Sequence, residues 1–109
     1  MKSALGGLAA LLVSCGSGAL STEACPTEGT ALTYESFGAN FMSAYCVSCH
    51  TVARAEGGVD LSSLTNTRMV AAAVVSEAGT SNKMPPAGSP APSAADRAKL
   101  VEWLSCASQ

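Results

Sequence analysis

The stretch Cys46-Val47-Ser48-Cys49-His50 constrains this 109-residue chain more than any other. Two thiols separated by two residues, with an imidazole immediately after, can be joined to one flat macrocycle. The spacing matches the two vinyl groups of a porphyrin. Each thiol adds across one vinyl to give a thioether, and the histidine that follows lies under the iron. His50 is the sole histidine, so no other imidazole can take that place. One Trp, two Tyr and two Phe make a thin core. A covalently held haem would supply much of the missing apolar mass, so the elements must close around a flat apolar disc and the haem-free chain is expected to fold poorly.

Two other uses of Cys-x-x-Cys fit this sequence less well. A thioredoxin-like dithiol expects a βαβ setting, and nothing in this sequence reads as a strand. A zinc site needs four ligands, usually with a second pair at similar spacing, whereas Cys15, Cys25 and Cys106 stand singly.

The amino terminus reads as a targeting segment. Lys2 precedes an apolar, glycine-containing run from Ala4 to Val13, long enough for a signal core and too short to cross a bilayer. Leu12-Val13-Ser14-Cys15 resembles the bacterial lipobox, which predicts cleavage before Cys15 and a lipid on its sulfur. An ordinary signal peptide cut later, for instance after Ser21, is the alternative. The chain therefore divides into a signal peptide (1–14), a tether rich in small and polar residues (15–32) and a haem domain (33–109). Export places the protein on the periplasmic side of a bacterial membrane, lipid-anchored or, with the other cleavage, soluble. Disulfides persist there. With Cys15 given to lipid and Cys46 and Cys49 to haem, Cys25 and Cys106 remain as a candidate bridge. Closing a loop of about 80 residues is worth roughly 4 kcal/mol on the chain-entropy account. Two free thiols are the other possibility. The net charge of −2 becomes one unit more negative once Lys2 leaves with the signal segment. That argues against nucleic-acid binding, which wants a basic face.

The rest reads as helices. Thr33 can cap a first helix from Tyr34 to Val47, with Glu35 in its first turn and Phe37, Phe41 and Tyr45 in one stripe. Gly57-Gly58 marks a turn, after which Val59 and Leu61 can lie against the porphyrin edge. Asn66 is read as the cap of a middle helix from Thr67 to Glu77, with Met69, Val70, Ala73 and Val74 on its inner face. Ser93 can cap the last helix, with Asp96 three residues on, and Leu100, Trp103, Leu104 and Ala107 form its apolar stripe. The fold class expected is all-α, three main helices wrapped around one covalent haem.

Met84 is the candidate for the second axial position. A thioether is a soft, neutral donor that favours ferrous iron and raises the potential. Lys83-Met84-Pro85-Pro86 holds it in a stiff loop, 34 residues past His50. Met42 precedes the haem cysteines and is expected between helices, and Met69 is expected in the core.

With the haem pentapeptide at the end of a first helix, Met84-Pro85 in a late loop and Trp103 on a final helix, the chain resembles the small class I cytochromes c from about Thr33 to Cys106. Gly38 stands where that family commonly places a glycine to let the first and last helices cross closely. The resemblance implies haem c as cofactor, Cys46 and Cys49 as its thioether residues, and His50 and Met84 as iron ligands. It further implies a carrier of single electrons between larger redox proteins, not an enzyme, with no small organic substrate. A haem-based enzyme subunit or a gas or redox sensor with an open or labile sixth position is the competing class. Arg54, Asn66 and Thr67 are candidate propionate partners. Many family members place a proline just after the haem histidine, and its carbonyl accepts the imidazole Nδ1–H. Thr51 to Lys83 contains no proline, so another acceptor has to orient His50.

Overall fold

The computed structural model describes residues 24–107. The signal segment, Cys15 and the first part of the tether lie outside the described residues. Within them every regular element is helical: a π-helical turn Tyr34–Gly38 that runs into α1 (Ala39–Tyr45), a 3₁₀ turn Glu56–Gly58, α2 (Leu64–Met69), α3 (Ala71–Val74) continued by a π-helical turn Val75–Gly79, and α4 (Ala94–Ala107).

Thr33 starts the first helical segment through a reciprocal capping box. Its hydroxyl accepts the Ser36 N–H at 2.9 Å, and the Ser36 hydroxyl accepts the Thr33 N–H at 3.0 Å. Two orphan amide donors of the first turn are thereby satisfied. Phe37 packs on Phe41 and Phe41 on Tyr45, with ring centroids 5.4 and 5.0 Å apart, so the aromatic stripe is continuous. The Ser93 hydroxyl accepts the Asp96 N–H at 3.0 Å and starts α4. Leu100, Trp103 and Leu104 are fully buried on its inner face.

The first helical segment and α4 meet at Gly38. A Cβ at that position would run into the indole ring of Trp103, so only glycine permits this approach. Tyr34 stacks on the same indole at 6.3 Å, and Phe37 meets it edge-on at 6.1 Å. Phe41, Met42, Leu61, Val74 and Ala78 complete the core.

The amino-terminal side of the domain is tied to α4 at two places. A disulfide joins Cys25 to Cys106, which stand 81 positions apart in sequence, with Cα atoms 5.0 Å apart. The Thr30 hydroxyl donates to the Glu102 carboxylate at 2.5 Å.

The middle segment differs from the single helix expected over Thr67 to Glu77. It begins three residues earlier, with Ser63 as cap: the Ser63 hydroxyl accepts the Asn66 N–H at 3.1 Å. Asn66 is not the cap, and its side chain donates to Asp60 at 3.1 Å instead. The helix breaks at Val70 (φ −119°, ψ 24°), which caps both halves. The buried residues are Thr67, Ala71, Val74 and Ala78, and the Thr67 hydroxyl is satisfied by the Ser63 carbonyl at 2.8 Å. Met69 is therefore not core: it is 79% exposed. Thr67, Ala71, Val74 and Ala78 recur at i, i+4, i+7 and i+11, one helical face, and Met69 stands off it. At the far end of the segment α4 comes close: a Cβ on Gly79 would stand 2.6 Å from Val101 Cγ2.

Candidate haem-binding site

α1 ends at its cap residue Cys46, whose N–H still bonds the Met42 carbonyl. The chain then turns tightly about the Cys46 carbonyl, which accepts the N–H of Cys49 at 3.3 Å and of His50 at 3.0 Å. That turn aims Cys46, Cys49 and His50 into one cavity of about 660 Å³, inside the range of about 300–1,000 Å³ usual for cofactor clefts.

The acceptor for the imidazole is the Val59 carbonyl, 3.1 Å from His50 Nδ1. A carbonyl oxygen only accepts, so Nδ1 carries the proton and Nε2 keeps its lone pair for a metal. The intervening loop is built to hold that carbonyl in place. Gly57 and Gly58 take φ of 65° and 77° and reverse the chain. The Leu61 N–H then closes on the His50 carbonyl at 2.6 Å, and the Glu56 N–H on the Cys49 carbonyl at 3.0 Å. Asp60 braces the far end by accepting the Ser62 hydroxyl at 2.6 Å, the Ser62 N–H at 3.0 Å and the Asn66 amide. Those hydrogen bonds, led by the one from the Ser62 hydroxyl, hold its carboxyl below the ordinary value of 3.8.

Met84 enters the same cavity from the loop between Gly79 and α4. Its N–H donates to the Glu77 carbonyl at 2.8 Å, its carbonyl accepts from Arg97 at 2.8 Å, and the peptide to Pro85 is cis. Met84 is 41% exposed. Of the described methionines, Met42 is buried in the core and Met69 faces outward; Met84 lines the cleft. Leu61, Val70, Val74 and Pro85 supply apolar wall. Of the candidate propionate partners, Arg54 reaches the rim, where it bonds the Ser48 carbonyl at 3.1 Å and Glu56 at 2.9 Å. Asn66 and Thr67 are engaged with Asp60 and Ser63.

The donors gathered here suit a haem: two thiols one turn apart, an imidazole with a free Nε2, and a thioether. They suit the alternatives badly. Burial pushes the Cys46 thiol up to about 11, the reverse of the depressed value that makes a redox dithiol reactive. Among the described residues no three His, Cys, Asp or Glu side chains converge as a metal-binding group. Two elements of the site carry no sequence signal, the Val59 carbonyl and the Arg97 bracket, because in each the group that accepts is backbone.

Among the described residues no helix is long and apolar enough to cross a membrane. Neither the curated proteins nor the solved structures gave a match to this chain. The family model described as cytochrome C oxidase, cbb3-type, subunit III, matches residues 36–104, a span from the first helical segment to α4 that takes in the pentapeptide and the Met84 loop. Helical architecture, cleft and family match agree: the chain belongs to the cbb3-type subunit III cytochrome family, and is a c-type cytochrome domain that binds haem c covalently and carries electrons.

Proposed function

We propose that Cys46 and Cys49 hold one haem through two thioethers, that His50 Nε2 and Met84 Sδ are its axial ligands, and that this exported chain, anchored by a lipid on Cys15, passes single electrons between redox proteins. The observation that carries the reading is convergence: Cys46, Cys49, His50 and Met84 line one cleft although Met84 lies 34 residues beyond His50.

Haem, when bound, supplies a one-electron ferrous/ferric couple. The protein's own residues set how that couple behaves. The Val59 carbonyl fixes the ring of His50 and raises its basicity through the Nδ1–H bond. Met84 offers a donor that prefers the ferrous state. Leu61, Val70 and Val74 set an apolar wall in the cleft, which would limit how far the surroundings reorganise when charge changes. Leu12-Val13-Ser14-Cys15 supports the lipid anchor.

The test is Met84→Ala in the haem-loaded protein. The visible band from methionine-to-ferric charge transfer disappears, and the reduced protein binds carbon monoxide. The midpoint potential falls by more than about 59 mV, the equivalent of a tenfold preference for ferrous iron in a one-electron couple. An unchanged spectrum and potential would remove Met84 from the iron and favour a site open to external ligands.

A further inference from the structure

We infer that Arg97 is the positioning residue of the Met84 loop, setting how firmly the methionine stays in the cleft. This rests on the axial role proposed for Met84 above. Arg97 lies in the second turn of α4, outside the cleft lining. Its guanidinium Nη1 donates to three backbone carbonyls: Ala78 at 2.7 Å, Met84 at 2.8 Å and Ser81 at 3.3 Å. Nη1 has two hydrogens. They match the two short contacts, and Ser81 takes a shared, longer one.

Each acceptor has a reason to need this cation. Ala78 lies in the last turn of the π-helical segment Val75–Gly79, where carbonyls lack intrahelical partners and a positive charge is favoured. Ser81 is in the descending loop, and its hydroxyl already donates to the Ser76 and Glu77 carbonyls at 2.8 and 3.2 Å. Met84 is the candidate ligand itself. One side chain thus links the end of the middle helical segment, the start of the loop and the ligand residue to α4.

The Met84 N–H also bonds the Glu77 carbonyl, 2.8 Å away and itself within the segment that Arg97 holds. Arg97 is in turn held by the helix, its N–H bonding the Ser93 carbonyl at 3.0 Å, and α4 is fixed by the buried Leu100, Trp103 and Leu104. The ligand loop is therefore referenced to the same helix that crosses the haem-bearing segment at Gly38. The two sides of the cleft share one frame.

The experiment competes imidazole against Met84 in ferric, haem-loaded protein, following the methionine charge-transfer band. Arg97→Met removes the charge-assisted bonds at similar length, and the imidazole concentration that displaces the methionine falls by about tenfold to a hundredfold. Arg97→Lys keeps the charge but not the fork, and falls between Arg97→Met and wild type. The double variant Cys25→Ser/Cys106→Ser lowers the thermal midpoint while leaving the imidazole midpoint unmoved, which separates positioning from global stability.

Three results would overturn the inference: wild-type imidazole affinity in Arg97→Met; wild-type affinity in Arg97→Lys, should Arg97→Met not fold; or an equal shift in the disulfide variant. Met84→Ala is the control for the premise. If it leaves the band in place, the axial assignment fails as well. If it abolishes the band while the Arg97 variants behave as wild type, only the role of Arg97 fails.

Discussion

Gly38→Ala is a one-atom test of how this domain is put together. A Cβ at Gly38 overlaps the far edge of the Trp103 indole. The ring cannot swing aside. It is 2% exposed, with Tyr34 stacked on it and Phe37 packed edge-on, so relief requires the first helical segment and α4 to move apart. Overpacking of this kind costs about 1–3 kcal/mol, occasionally more. Against it stands the better helix propensity of Ala over Gly, about 0.8–1 kcal/mol, which applies because Gly38 has helical backbone angles (φ −60°, ψ −47°). The steric term wins because the neighbour is a rigid, enclosed ring. Taking the upper part of the overpacking range, about 2–3 kcal/mol, against about 1 kcal/mol of propensity leaves an expected net loss of about 1–2 kcal/mol, roughly 4–16 °C in thermal midpoint for a domain of this size. The assay is thermal unfolding of the haem-loaded protein by far-ultraviolet circular dichroism. Trp103→Leu opens space at the same point, so Gly38→Ala and Trp103→Leu combined should cost less than the sum of the two alone. A Gly38→Ala protein as stable as wild type, or strict additivity in the double variant, would refute the close crossing.

Two further outcomes are expected. Because Asp60 has its carboxyl held below 3.8 by Ser62 and Asn66, its ionised form is favoured in the folded state. That contribution is whole above the ordinary carboxylate value and fades as the pH falls through the depressed one. The thermal midpoints of wild type and Asp60→Ala, separated near neutral pH, should converge as the pH falls below the ordinary carboxylate value and through the depressed one; a gap that ignores pH would exclude the carboxylate. Cys15→Ala should move the protein from the membrane to the soluble fraction of the native host, and its retention on membranes would rule out the lipid on that residue.

What the sequence disclosed and what it hid divide along a physical line. The pentapeptide is legible because it is an attachment pattern written in consecutive residues, and Cys46, Cys49 and His50 line one cleft. The stripes Phe37-Phe41-Tyr45 and Leu100-Trp103-Leu104 are legible because an amphipathic helix repeats every 3.6 residues. The middle segment is less legible because apolar residues lie on more than one of its faces. Met69 is large and apolar, yet the buried face is the one that carries Thr67, Ala71, Val74 and Ala78, and Met69 lies off it. Asn66 is a good capping residue by type, but Ser63 starts the helix and Asp60 takes the asparagine amide. The Val59 carbonyl that orients His50 and the carbonyls gripped by Arg97 are features of the folded backbone. Every residue has such a carbonyl, so nothing in residue identity marks the ones that matter.

Intact and peptide mass spectrometry of protein matured with its haem-attachment machinery addresses the central claim without intermediaries. One porphyrin-iron unit should be found, covalently retained after denaturation and mapped to the peptide containing Cys46 and Cys49, and lost from Cys46→Ala/Cys49→Ala. A mature chain bearing no such adduct, or bearing it elsewhere, would contradict the account at its foundation.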